Sequence, residues 1–401
     1  MAQRINCFER IKSFDNGNAC PPNANLILQA LTSKRCIDGF NLERLETIGD
    51  SFLKFTTSLF LFYKYPDLNV GDLVILKDKQ VQNYNLWKKA LEKNIPEFIM
   101  FEQFSASKWF STVFTSNEEY IQEIDDKSIA DCIEALIGAY LISYGPVGAI
   151  MFMKWLGLNV TPQNYINLNS IHWLPKKNLS SKYNFDENEK LNSLYVNGRL
   201  FDFEESIGYS FKDKSHIVKA FTHSSYYDNT ITGCYQRLEF LGDAVLDYLI
   251  TRYIFEDKKE FNPGELTDLR QALVNNSYFG CLAVKYCFHK YLKYLSCTGM
   301  GIIDAFDKKF KSNEKEIIYG HFLLINENET EQSEDVEVPK ILGDIFESVA
   351  GAIYLDSGFS LDAVWKVYYP LIKSELEYFS ENVPLHPIRM LYEADEKTKF
   401  E

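Results

Sequence analysis

The chain has 401 residues, 46% hydrophobic and 24% charged, which suits a globular protein of two or three domains. Its 30 Phe and 25 Tyr need burial, which excludes disorder as the main theme. The 42 Lys and Arg against 56 Asp and Glu leave a net charge of −14, which excludes a simple basic coat for nucleic acid. It does not exclude an enzyme whose site concentrates carboxylates. Eight cysteines without a CxxC pair, and six histidines at no finger-like spacing, argue against structural zinc. Together with an N-terminus, MAQRINCFERIKSF, that has no apolar signal core, they point to a reducing, cytoplasmic setting.

In chain order, residues 1–23 read as an N-terminal segment ending in the loop NGNACPPNAN. LERLETIGDSFLKFTTSLFLF, from Leu42, repeats apolar residues at three and four positions and predicts a helix. KSIADCIEALIGAY, from Lys127, predicts a second. Ala135 to Met153 is a run of nineteen residues without a charge, close to a membrane span in length. Ser143-Tyr144-Gly145-Pro146 interrupts it with a turn signal, so two buried core helices joined by a turn are expected rather than a membrane helix.

Residues 161–200, rich in Asn, Ser and Pro, read as a linker in which Trp173 docks. Beyond it the pattern repeats. RLEFLGDAVLDYLITRYIF, from Arg237, predicts a helix, and both copies contain R-L-E-x-x-G-D, 193 residues apart. KILGDIFESVAGAI, from Lys340, shares K-x-x-x-D-x-x-E-x-x-x-G-A with the segment at Lys127, 213 residues earlier. The extra residues fall in 296–338, whose acidic NENETEQSEDVE reads as a solvated insertion. The copies therefore occupy 24–160 and 201–380, both all-α, followed by a tail at 381–401.

Each copy holds four acids. Glu46 and Asp50 are four apart, and Asp131 and Glu134 three apart, so each pair projects from one helix face. The second copy matches with Glu239, Asp243, Asp344 and Glu347. Helices that bring four such charges together need a cation, and hard oxygen ligands suit Mg²⁺ or Mn²⁺. Two such ions per site would activate a water and stabilise the leaving oxygen of a phosphodiester. An exposed acidic face is the simpler account of any single pair. Leu45 and Ile48 around Glu46, and Leu238, Phe240 and Leu241 around Glu239, instead set these acids at the border of a packed surface, where unpaired charge is costly.

These segments resemble the ribonuclease III family. R-L-E-x-x-G-D and D-x-x-E-[SA]-x-x-G-A each occur twice, and Phe221-Thr222-His223-Ser224-Ser225-Tyr226 is similar to the segment preceding the family signature. Two such domains in tandem resemble its Dicer-like branch, over residues 24–380. The resemblance implies an all-α fold with the two domains paired as an intramolecular pseudo-dimer. It also implies Mg²⁺-dependent cleavage of both strands of double-stranded RNA, one per domain, with 5′-phosphates and short 3′ overhangs, in RNA interference. It makes Glu46, Asp50, Asp131, Glu134, Glu239, Asp243, Asp344 and Glu347 the metal-binding catalytic acids. Lys127 and Lys340, one turn before the downstream Asp, would lie near the scissile phosphate; neutralising the acids is their alternative role.

Gly49 and Gly242 are expected to allow close helix packing, and Arg44 and Arg237 to hold the signature helix by ion pairing. Gln236 replaces the acid at Glu43, which touches only an auxiliary role. The family's E-G-x-L-[ST]-x-[LM]-R segment survives at 263–270 with Pro263 for its first Glu. At 70–77 it reads VGDLVILK, without the acid, the hydroxyl or the arginine, so the first site is expected to be active but weaker. No helicase or end-binding module is expected, and the tail resembles only the opening of a double-stranded-RNA-binding domain.

Lys176, Lys177, Lys182, Lys285 to Lys293 and Lys308 to Lys311 are basic positions that could help to hold RNA, with solvated helix faces as the favoured reading of them. His223 is expected to cap or to pack rather than touch RNA. Protein cofactors that bind double-stranded RNA are possible partners. The competing readings are a non-catalytic RNA-binding or assembly platform, and a fragment inactive without further modules.

Overall fold

The computed structural model describes residues 23–103, 124–160, 185–312 and 338–383. It divides into two compact units, Met1–Lys177 and Asn178–Glu401. Among the described residues there are helices and two isolated bridges, Thr32 with Met100 and Thr222 with Lys293, and no strand. The fold is all-α, with one helical domain per unit.

In the first unit the helices are α1 (Ala24–Ala30), α2 (Glu43–Lys64), α3 (Val70–Val81), α4 (Asn83–Glu92) and α5 (Asp126–Leu156). The Asn69 side chain accepts from the Asp72 N–H to start α3, and Asp125 accepts from the Ser128 N–H to start α5. The backbone of α5 breaks at Gly145 (φ 67°, ψ −169°), just before Pro146, which cannot donate within a helix. Two helical segments result, as the Ser-Tyr-Gly-Pro signal predicts. By length and composition α5 is apolar enough to cross a membrane, but 56% of its most apolar window is buried within the protein. The core is built by Leu45, Ile48, Phe52 and Leu59 of α2 against Ile133, Ile137 and Met153 of α5.

The second unit contains α6 (Phe185–Asn197), α7 (Leu200–Ile207), α8 (Lys214–Ala220), α9 (Gln236–Phe255), α10 (Pro263–Leu273), α11 (Asn276–Lys285), α12 (Cys297–Ser312), α13 (Lys340–Asp356) and α14 (Leu361–Glu381). Residues 185–200, the end of the segment expected to be linker, are largely helical here. Leu191 and Tyr195, four apart in a polar sequence, are buried, and α6 packs on α7 and α8. Trp173 lies outside the described residues. A capping box between Asn262 and Glu265 starts α10, with Pro263 in its first turn. Nearly all of α13 is buried, with α9 and α11 as its main neighbours.

The repeat is visible in the hydrogen bonds. The Ser33 N–H bonds the Met100 carbonyl as the His223 N–H bonds that of Lys293. The Leu42 N–H bonds the Thr32 carbonyl as the Tyr235 N–H bonds that of Thr222. In both units the signature helix crosses the downstream helix at backbone contact. A Cβ on Gly49 would collide with the Glu134 carbonyl, and one on Gly242 with the Glu347 carbonyl. Gly138 and Gly351 meet the carbonyls of Leu45 and Leu238 from the other side.

Gly49→Ala and Gly242→Ala should each destabilise the protein by about 3 kcal/mol, the upper range for overpacking a close contact. Gly301→Ala in α12, whose Cβ meets nothing within 4 Å, should stabilise it by about 0.5–1 kcal/mol through helix propensity alone. Urea denaturation distinguishes the two; equal effects at the three positions would rule out the backbone crossing.

Candidate active site

α2 carries Glu46 and Asp50, and α5 carries Asp131 and Glu134. The crossing at Gly49 brings carboxylate oxygens of Glu46, Asp131 and Glu134 within 4.8 Å of one another. In the second unit α9 and α13 do the same for Glu239, Asp344 and Glu347. Of the four acids that the sequence groups in each copy, three meet. Asp50 and Asp243, one turn further along, are not part of those 4.8 Å sets, but their charges act on Glu134 and Glu347.

The electrostatics of the two clusters run in parallel. Burial, then the charge of Asp131, pushes Glu46 up to about 7. Burial pushes Asp131 up to about 6, while Lys127 pulls the other way. Burial and then Asp344 push Glu239 up to about 7, opposed by Lys340. Glu134 and Glu347, the most buried, are raised well above the ordinary carboxylate range by burial and by the neighbouring acids. Crowded, half-desolvated carboxylates that resist ionising are poor neighbours for one another and good donors for a hard divalent cation. The acidic clusters can therefore hold metal ions.

The second cluster has further polar support that sequence reasoning missed. The Tyr235 hydroxyl donates to Asp344 Oδ2 at 3.2 Å, and Asn276 Nδ2 donates to Asp344 Oδ1 at 3.2 Å. Asn276 Oδ1 is buried without a hydrogen-bond partner, an acceptor left open beside the acids. Gly343 makes room for this amide, because a Cβ there would collide with Asn276 Oδ1. In the first copy Ala130 stands where Gly343 does, Asn83 where Asn276 does, and Leu42 where Tyr235 does. Asn83 is exposed there. The Gly-to-Ala difference within the aligned K-x-x-x-D segments is the sequence signal of this asymmetry.

Lys340 Nζ lies 3.8 Å from both Glu239 and Asp344, with its side chain 75% exposed. Lys127, also exposed, acts through its charge on Glu46 and Asp131. His223 Nδ1 accepts from the Ser225 N–H, and its ring packs against Tyr294 and Tyr235, so it braces a turn. Lys285 is tied to the buried Glu375 at 2.7 Å, so it is neither a free cation for RNA nor simply a solvated helix lysine. Lys311 pairs with Asp307. Lys176, Lys177 and Lys182 lie outside the described residues.

Comparison with known proteins agrees with this geometry. The ribonuclease III domain model matches residues 43–145 and 236–358, the two segments that carry the acids. The chain belongs to the ribonuclease III family, whose enzymes are endoribonucleases. It is 38% identical to Endoribonuclease Dcr-1 of Drosophila melanogaster, over 94% of this chain and 21% of that protein. It is 37% identical to Endoribonuclease dcr-1 of Caenorhabditis elegans, over 94% and 24% respectively. Against Endoribonuclease Dicer of Danio rerio the identity is 34%, over 96% and 29%. The chain thus spans between 21% and 29% of the length of these relatives.

The raised carboxyls set a pH dependence for the metal-free protein. Glu46 and Glu239 hold their protons to about pH 7 when folded, against 4.5 for a glutamate in the unfolded chain. Between those values the unfolded chain binds fewer protons than the folded one, so stability falls as pH rises. The contribution is fully present below pH 4.5 and lost above 7. The melting temperature in EDTA should therefore fall between pH 4.5 and 7.5, and millimolar Mg²⁺ should restore it at the upper end. Glu46→Gln with Glu239→Gln should flatten the fall; a profile unchanged by that double substitution contradicts the assignment.

Proposed function

We propose that this chain is a Mg²⁺- or Mn²⁺-dependent endoribonuclease that cuts both strands of double-stranded RNA, one strand at each carboxylate cluster. The products carry 5′-phosphates and short 3′ overhangs. The observation that carries this reading is the duplication of one half-buried acid cluster on the same pair of helices in two ribonuclease III domains. An acidic platform that only bound RNA would have no physical reason to hold two sets of repelling carboxylates.

In this reading Glu46, Asp50, Asp131 and Glu134 hold the ions of the first site, and Glu239, Asp243, Asp344 and Glu347 those of the second, two ions per site. Bound there, the ions supply an activated water and stabilise the leaving oxygen of an in-line displacement. The protein's own part is positioning. Tyr235 and Asn276 fix the Asp344 carboxylate through both of its oxygens. Lys340 holds a cation at the rim of the acids, where charge develops on a phosphate approaching them. Lys127 has the same place in the first site.

The RNA is read by shape, through phosphates and 2′-hydroxyls, so base-reading motifs are not required. Pairing of the two domains within one chain is favoured by the high effective concentration of linked modules. We further infer a role in small-RNA production, with protein cofactors that bind double-stranded RNA, from the resemblance of the tandem domains to the Dicer-like branch, and a cytoplasmic setting from cysteines that form no disulfide framework.

The test is cleavage of a duplex with each strand end-labelled separately. Asp50→Ala should lose the cut in one strand and Asp243→Ala the cut in the other, each by on the order of 10²-fold or more, as for loss of one strong electrostatic stabiliser. Loss of both cuts from either single substitution contradicts one strand per cluster.

A further inference from the structure

The two clusters differ in the residue one helical turn after the second signature acid. In the second unit this is Asp247 of α9, which is buried. Arg270 of α10 grips it through both carboxylate oxygens, Nε to Oδ1 at 2.8 Å and Nη2 to Oδ2 at 2.8 Å. Such a two-pronged pair fixes the geometry of both groups. It also commits the charge at this position to α10, away from the metal-binding acids.

In the first unit Lys54 stands where Asp247 does, and Lys77 where Arg270 does. Two cations cannot form that bridge. Lys54 turns back along α2 instead, placing Nζ 2.8 Å from Asp50 Oδ2, with side-chain exposures of 39% and 16%. Its charge reaches deeper as well, opposing at Glu134 the effects of burial and of three neighbouring acids. At Glu347 the opposing cation is Lys340, which stands at the rim. The charge at this helix position is therefore reversed between the copies, and so is the element it engages.

We propose that Lys54 is a tethered counter-cation that competes with divalent metal for Asp50, so that the first cluster binds Mg²⁺ or Mn²⁺ more weakly than the second. This rests on the reading of the clusters as the metal sites of a two-strand nuclease. A divalent ion approaching Asp50 must displace the ammonium or share the carboxylate with it, and a like charge at close range disfavours both. The same contact relieves repulsion among the acids when no metal is bound. Whatever stabilises the metal-free form selectively lowers the apparent affinity for metal. A consequence follows for cleavage: as the metal concentration rises, the strand served by the second cluster is cut first, and nicked duplex accumulates.

The experiment measures Mn²⁺ binding by electron paramagnetic resonance on the full chain with one cluster disabled at a time. Glu347→Gln leaves the first cluster and Glu134→Gln leaves the second. The first cluster should bind more weakly by about fivefold or more, the effect expected of one nearby unit charge in partly screened surroundings. Lys54→Met in the Glu347→Gln background should tighten binding by a similar factor and lower the melting temperature of the metal-free chain. Lys54→Arg, which keeps the charge, should bind Mn²⁺ as the parent does. Equal affinities at the two clusters, or a Lys54→Met chain that binds Mn²⁺ no more tightly, overturns the proposal. Binding at the second cluster then shows that the metal-site reading survives without it. Absence of Mn²⁺ binding at both clusters removes that reading and the proposal together.

Discussion

The contact of Gly49 with the Glu134 carbonyl, and its counterpart between Gly242 and Glu347, governs much of the rest of the structure. Two helices can cross this closely only where neither presents a side chain at the crossing. In each unit the crossing point lies within one turn of all four acids, so the distance set by two backbones becomes the distance between carboxylates. Bulk at either glycine would spread the helices and disperse the cluster. Charge crowding therefore depends on close packing: these acids cannot gather unless the helices cross at the glycines.

Crowded acids require neutralisation, and the two units supply it differently. In the second, Tyr235 and Asn276 donate to Asp344, while Lys340 bridges Asp344 and Glu239 from the rim. In the first, Leu42 and the exposed Asn83 occupy the corresponding positions, and Lys54 pairs directly with Asp50. One cluster is held by neutral hydrogen-bond donors with a cation at its rim; the other has a cation placed on one of its acids. The two copies share the acids and differ in the groups around them.

The sequence made much of this legible, for a definite reason. Acids three and four residues apart share a helix face whatever the tertiary structure, so the pairs could be read directly. Repetition of R-L-E-x-x-G-D and of the downstream helix marked both copies, and the Ser-Tyr-Gly-Pro signal marked the break at Gly145. What escaped was long-range or compositionally masked. Asn276 meets Asp344 across 68 residues and Lys285 meets Glu375 across 90, and no local pattern announces either. The helix Phe185–Asn197 was hidden by Asn- and Ser-rich surroundings, although Leu191 and Tyr195 supply its buried face. No local pattern sets Lys54 apart from other helix lysines; the contrast with Asp247, gripped by Arg270, appears only in the folded chain.

If both acid clusters are divalent-metal sites, crystals of the chain grown with Mn²⁺ should give anomalous manganese peaks within coordination distance of Glu46, Asp131 and Glu134, and of Glu239, Asp344 and Glu347. Crystals saturated with Mn²⁺ that show no peak at either cluster, with the carboxylates still gathered, would contradict that reading.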